Sequence, residues 1–388
     1  MSSNKISEYL TYREVVKKLL LLTGVWPVEK PSVIYRSLPY IQIVVGFSMA
    51  YVIFGFVRAH SDNINLMTRG LSIITAFLTI VLKMTCLIIY RREIYDLHEL
   101  LDVYFKNLLQ DLNVIKTVLS NVTTFRRLTI VFIILVVYSC GCWVFLPLYH
   151  NYQQYSRHIQ PTKYALIYPT NYPWNIPTSG YIFHLHFIFE TIASTILCLI
   201  TTSVDSLFAF YAFQIIGQLR EISHYISLVD ENNNDKSIIR KCVIQYQNLM
   251  KCRDMIEKMY GPMILWIMIT NAVILCTVMF QITHMKSISK GRIGLLFTWI
   301  SLKTLQTFIY SWSGSQLTVE SENYSTAVYC SKWYGNKSFM SSVIIMLTQR
   351  PLVLTACNFS VVSLDMFVTI LNTTMSYFFL LQALETEV

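Results

Sequence analysis

The sequence predicts an all-α membrane protein: seven transmembrane helices, a cytoplasmic N-terminus, an extracellular C-terminus, and cytoplasmic helical extensions. Three observations carry that prediction. The 388 residues are 54% hydrophobic and only 14% charged, where a soluble domain carries about 25% charged residues. Seven apolar stretches, at about 39–57, 71–90, 128–149, 181–204, 260–282, 294–317 and 359–384, each approach the roughly 20 residues a helix needs to cross a bilayer. Outside them, the lysines and arginines divide 22 to 7 between alternating segments. The N-terminus and the second, fourth and sixth loops hold the larger share, and basic residues stay cytoplasmic. With so little loop mass, residues 1–388 read as one membrane domain. The net charge of +9 is assigned to loops lying on anionic lipid, not to nucleic-acid binding.

The elements follow in order. The first 38 residues hold six basic residues and one short apolar run at 19–22, so the first span is expected to act as the insertion signal. Residues 14–21 have helical spacing and suit either the inner membrane surface or an ordinary packed helix. After the second span, Ile94, Leu97, Leu101, Tyr104 and Leu108 recur at helical intervals, which predicts an amphipathic cytoplasmic helix. The fourth span continues its apolar stripe through Leu207, Tyr211, Ile215, Leu219, Ile222 and Ile226. The polar run at 230–235 ends it, and Ile239, Val243, Tyr246 and Met250 lead into the fifth span. Two long helices thus project into the cytoplasm as anchor segments, about 205–259, joined by a short helix at about 338–350 that stops at Pro351. The outer loop 150–180, rich in Tyr, Trp and Pro, could cap a cavity or pack on helix ends.

Four charges fall inside the spans: Lys83, Glu190, Lys303 and Asp365. Each costs about 2.5–3.5 kcal/mol at the bilayer centre unless paired or hydrated. Glu190 and Lys303 lie at matching depths, which suggests either a salt bridge between the fourth and sixth helices or two groups facing a wet cavity. Lys83 and Asp365 are expected to snorkel inward. His184 and His186 are two residues apart and point to different helical faces, so no metal site is expected. No nucleophile elbow, zinc-protease helix or phosphate loop is present; neither a cofactor nor an enzyme is predicted.

In the last span Thr369, Thr373, Ser376, Leu380 and Leu384 share one helical face. Around an axis of several copies, the hydroxyls would line a conduit and the leucines would form a dewetting constriction, with Glu385 and Glu387 at the mouth. The same small hydroxyl residues also suit tight helix–helix contacts in a membrane.

The C-terminal third carries a set of short motifs: TAVYCSKWYG at 326–335, QRPL at 349–352, LTA at 354–356, VSL at 362–364 with Phe367, and SYF at 376–378. SVDSL at 203–207 accompanies them. Together these resemble the insect odorant receptor family, as do the chain length and the N-inside layout. Cys357 and Asn372 depart from it, standing where glycine and lysine are frequent. The resemblance implies a ligand-gated cation channel subunit in sensory-neuron plasma membrane, assembled as a heterotetramer with a co-receptor, its pore lined by the last helix. Carried over by the SYF motif, the pore gate falls on Leu380 and Leu384, with Thr369, Thr373 and Ser376 lining the passage.

The resemblance also places a small volatile ligand in the outer half, among helices two to six. The candidate contacts there are Phe77, Tyr138, Trp143, Phe187, Glu190, Thr191, Phe280, Phe297 and Trp299. Taken singly, each suits a core or lipid-belt position better than a ligand contact. Together they imply an aromatic chamber with few hydrogen-bond partners, binding by shape and burial at near-micromolar affinity. A gustatory-type channel of the same architecture is the alternative. It is disfavoured because Gln382 follows Tyr377 after only four residues and Ala383 comes next. A G-protein-coupled receptor would need the reverse orientation and a proline-containing last helix, and the last span has no proline.

Overall fold

The computed structural model describes residues 2–108, 112–157, 164–177, 180–228, 236–284, 290–333 and 337–386. They form α1 (Ser2–Thr23), α2 (Val33–Ala59), α3 (Ile64–Ile89), α4 (Arg91–Leu108), α5 (Leu112–Val118), α6 (Val122–Ser156), α7 (Tyr181–Ser227), α8 (Lys236–His284), α9 (Lys290–Tyr329), α10 (Lys337–Leu347) and α11 (Leu364–Thr386). Two short strands, β1 (Thr355–Ala356) and β2 (Ser360–Val361), precede α11. By length and composition α2, α3, α7 and segments beginning at Val114 and Ser237 can cross a membrane, and Leu364–Leu380 is a shorter apolar stretch. The polar run at 230–235 and Pro161 lie outside the described residues.

α7 organises the molecule. Its 47 residues span about 70 Å, against a hydrocarbon core of about 30 Å, so it extends well beyond a bilayer, as do α8 with 49 residues and α9 with 40. Residues 200–219 of α7 are all buried, wrapped by α1, α5, α6, α8 and α9. A helix apolar or enclosed on every side cannot show a one-sided stripe.

The N-terminal segment is a packed helix, not a surface one. Tyr9, Tyr12, Val16 and Leu20 recur at helical spacing and are fully buried. Tyr9 stacks on Phe105 at 4.6 Å, and Tyr12 meets Phe210 edge-on at 5.4 Å. Arg13 grips Asp102 of α4 with two bonds of 2.7 Å, the planar fork a carboxylate fits best; that contact raises the Arg13 pKa further.

The last span begins later than its hydropathy suggests. Residues 359–363 belong to a hairpin in which Thr355 pairs with Val361 and Ala356 with Ser360. Cys357 and Asn358 occupy the turn with φ of 54° and 56°, a left-handed conformation that glycine adopts without strain. Glycine would fit position 357 without that strain. The hairpin is clamped to its neighbours: the Leu352 amide donates to Ser321 at 2.7 Å, Tyr246 donates to the Arg350 carbonyl at 2.9 Å, and the Leu364 amide donates to Ser315 at 2.8 Å. Gly314 of α9 lies under it; a Cβ there would stand 2.1 Å from the Val362 carbonyl oxygen.

Candidate functional site

Three features bear on function: a cavity at the end the charge bias assigns to the outside, a buried polar network at mid-length, and the uncovered face of α11.

The cavity, about 280 Å³, lies among α3, α6, α8 and α9 under the loop that follows α6. Trp143 and Trp299 line it, with ring centroids 6.1 Å apart in edge-on contact. Leu146, Pro147, Val278 and Leu296 complete an apolar wall. Four polar lining residues, Arg69, Ser72, His150 and Gln281, were not anticipated. Arg69 and His150 lie just outside the spans drawn by hydropathy, which stop where the helices turn polar. A larger open groove, about 820 Å³, lies between α4 and α8 and is lined mainly by charged residues including Asp96, Glu99, Lys251 and Asp254; it encloses nothing.

The other candidate contacts are distributed differently. Phe77 is fully buried beneath the cavity and meets Tyr168 edge-on at 5.4 Å, and Tyr168 in turn stacks on Trp143. Phe187 packs against the core from a half-buried position, and Thr191 donates to the Phe187 carbonyl at 2.8 Å. Tyr138 and Phe297 point away, 60% and 69% exposed. The side chain of Phe280 lies outside the described residues.

Glu190 is a staple for the outer loop. Its carboxylate accepts from the backbone amides of Ile167 and Tyr168 at 2.9 and 3.1 Å, and from the hydroxyls of Thr170 and Tyr172 at 3.1 and 3.2 Å. Burial first, and Glu190 next, push the Tyr172 phenol pKa up, so its proton stays available to donate. Ala165, Leu166 and Ile167 of this loop line the cavity. Glu190 thus holds the cavity's roof without lining it.

The expected Glu190–Lys303 salt bridge does not form. Lys303 donates to Gln306 at 3.3 Å and lies 5.6 Å from the Trp299 ring centroid. The membrane-depth pair is instead Lys83–Asp205, at 2.5 Å with both side chains buried. Lys83 therefore does not snorkel. Asp205 lies one residue beyond the end drawn for the fourth span, and helix rotation, which depth matching ignores, decides the partner. Tyr310 and Gln306 also donate to Asp205, at 2.6 and 2.7 Å. One carboxylate thus joins α3, α7 and α9, and two lysines lie near it.

α11 buries one row, Met366, Ile370, Thr374 and Phe378, against α8 and α9. Asp365, Thr369, Ser376 and Leu380 are exposed and Thr373 is half-buried. Thr369, Thr373 and Ser376 donate their protons to the carbonyls of Asp365, Thr369 and Asn372 at 2.8, 2.7 and 3.0 Å. Their oxygens keep lone pairs toward the uncovered side. The side chains of Leu384, Glu385 and Glu387 lie outside the described residues.

A family profile described as 7tm Odorant receptor matches residues 63–375. The chain belongs to that family. Odorant receptor 13a of Drosophila melanogaster is 23% identical to this receptor over 404 residues, covering 94% of this chain and 93% of its own length. The odorant receptor coreceptor of Anopheles gambiae is 24% identical over 154 residues, covering 39% of this chain and 32% of its own. In fold, the receptor is similar to the olfactory receptor OR5 from Machilis hrabei, solved in complex with eugenol: TM-score 0.80 at 17% identity, covering 97% of this chain and 100% of that one.

Proposed function

We propose that this receptor is one subunit of a ligand-gated, non-selective cation channel in the plasma membrane of sensory neurons, opened by small volatile molecules. The observation that carries the reading is the uncovered face of α11. A terminal helix with one buried row and an exposed hydroxyl stripe needs neighbours that this chain alone does not supply. Copies around an axis would cover it and leave a conduit. Hydroxyls that have already donated their protons to the helix backbone present oxygen lone pairs, which favour cations over anions. Leu380, with Leu384 one turn on, then forms the constriction.

The charge bias supports seven crossings of the whole chain, with the N-terminus inside. The exposed apolar row of α2, Val44, Phe47, Tyr51 and Phe54, suits contact with lipid tails. Similarity to the coreceptor segment supports assembly with a co-receptor subunit, as a heterotetramer. The cavity of Trp143 and Trp299 is the odorant site. A ligand fitting the open state better shifts the population toward it. The shift passes from Trp299 to Lys303 on the same helix, to the Asp205 network, and along α9 to the hairpin that seats α11.

The test is current recording in cells expressing the receptor with and without a co-receptor, against a panel of volatiles. Ligand-evoked cation current that needs the co-receptor is the expected result. Leu380→Ala should raise leak or slow closing; an unchanged current from a receptor present at the surface counts against the gate. An N-terminal epitope accessible on intact cells would overturn the orientation.

A further inference from the structure

An open cavity of about 420 Å³ lies between the loop that joins α1 to α2, the first turn of α2 and the start of α4. Its walls are set by the chain's own contacts. Ser32 caps α2 by accepting from the Tyr35 amide at 3.2 Å, and the Tyr35 hydroxyl donates to the Trp26 carbonyl at 2.9 Å. Trp26 is buried and meets His98 of α4 edge-on at 4.4 Å. Pro27 and Pro31 stiffen the loop between these anchors.

Three charged side chains line this cavity: Arg36, Arg91 and Glu29. All three are exposed. None of their charged groups has an ion-pair or hydrogen-bond partner among the described residues, so Glu29 lies beyond ion-pair distance of both arginines. The surroundings are apolar. Val33 and Ile34 at the start of α2 and Ile89 at the end of α3 are exposed, as are Val28 and Tyr95 on the cavity wall. Charged groups without partners, ringed by exposed apolar and aromatic side chains at the ends of two spans, mark the level where headgroups give way to lipid tails.

Resting on the orientation given above, which puts this end of the molecule in the cytosol, we propose that the cavity holds the headgroup of an inner-leaflet phosphatidylserine. Two cations and one anion line the cavity; the headgroup carries two anions and one cation. Its phosphate and carboxylate accept from Arg36 and Arg91, whose planar forks match both oxyanions. Its ammonium donates to Glu29, and its tails lie along the exposed start of α2. The volume equals about 14 waters at liquid density, room for a phosphoserine group of about a dozen non-hydrogen atoms. Phosphatidylglycerol would leave Glu29 unpaired beside a phosphate, and phosphatidylethanolamine would leave one arginine without an anion.

The experiment uses the full-length receptor purified in detergent with its co-receptor. It measures retention of tritiated dihexanoyl-phosphatidylserine against unlabelled short-chain lipids and free O-phosphoserine. Phosphatidylserine should compete at roughly tenfold lower concentration than phosphatidylglycerol or phosphatidylethanolamine, the discrimination expected of one hydrogen bond to a charged group. Free phosphoserine should compete more weakly still, because it has no tails. The Arg36→Gln, Arg91→Gln double variant should lose the binding that this receptor adds to the complex. If that variant is not recovered, Arg36→Lys with Arg91→Lys keeps the charge without the fork, and a smaller loss is expected. Glu29→Gln should bring phosphatidylglycerol level with phosphatidylserine. The proposal is overturned if phosphatidylglycerol or a phosphoinositide matches phosphatidylserine on wild type, if free phosphoserine competes as well as the lipid, if the arginine variants bind like wild type, or if Glu29→Gln leaves the preference intact. An N-terminal epitope accessible on intact cells overturns the orientation, and with it the inner-leaflet assignment. An enclosed epitope without phosphatidylserine selectivity sinks this proposal alone.

Discussion

The two ends of α7 obey different packing rules. From Ile200 to Leu219 every residue is buried. Between Tyr181 and Leu199 only Phe183, Glu190, Ala193 and Ser194 are, while Tyr181, Leu185, Ile188 and Ile192 are exposed. The inner stretch is a core helix enclosed on all sides, and the outer one is a peripheral helix whose Glu190 holds the loop that roofs the cavity. Partial exposure at one end and full packing at the other give one helix two kinds of environment. The inner end moves only as a unit, since packed interiors transmit displacement instead of absorbing it.

The largest expected effect lies in the inner half. Asp205→Leu leaves Lys83 buried without a partner and strands the Tyr310 and Gln306 donors. Removing one member of a buried pair costs about 3–5 kcal/mol, so surface expression should collapse. Adding Lys83→Met should recover part of it, because an apolar pair of similar volume is often tolerated. Normal expression of the single variant, counted by surface labelling, would break the contrast between the halves.

Gly314→Ala comes next. The new methyl meets the Val362 carbonyl at 2.1 Å, and neither backbone can yield without moving the hairpin. Overpacking of this kind costs about 1–3 kcal/mol. Leu364, the first residue of α11, is bonded to the same stretch of α9, so the strain should appear as altered basal current together with a lower melting temperature. A change in stability with wild-type gating would detach the hairpin from the pore helix.

Glu190→Gln tests the outer half. The carboxylate accepts four bonds from the loop, and an amide turns one acceptor into a donor facing donors, at a cost of about 1–3 kcal/mol. The loss is confined to a loop that roofs the cavity. Expression should stay near wild type while ligand potency shifts several-fold. A folding defect as severe as that of Asp205→Leu would erase the distinction.

How much of this was legible in the sequence depended on whether the signal was one-dimensional. The length of α7 and α8 and the existence of α4 follow from apolar period, whereas the start of the last helix does not, since α11 begins at Leu364 and not at 359. Trp143 and Trp299 line the cavity, but the sequence did not separate them from Phe77, Tyr138, Phe187, Phe280 and Phe297, which share their character. Arg69 and His150, which line the cavity, fell outside the drawn spans because a hydropathy window ends where a helix becomes polar. The Lys83–Asp205 pair was missed because depth alone does not fix which helical faces meet. The hairpin before α11 has strands of two residues, too short for any pattern. Its turn is set by Cys357, whose φ of 54° is a backbone feature that no hydropathy pattern reports.

That residue supplies the smallest effect. A left-handed conformation costs an L-residue about 1–2 kcal/mol relative to the right-handed one, and glycine escapes it while losing more freedom on folding, about 0.5–1 kcal/mol. Cys357→Gly should therefore stabilise the receptor by a few tenths to about 1 kcal/mol, seen as a rise of a few degrees at most in melting temperature. Asn358, also left-handed, is a residue type that tolerates the region through local side-chain hydrogen bonding, and here its side-chain Oδ1 lies 3.3 Å from the Thr355 hydroxyl. Asn358→Gly should gain less, or lose. An equal gain at both positions would mean that the turn is not held in this geometry, and the clamp between α9 and α11 would lose its rigid element.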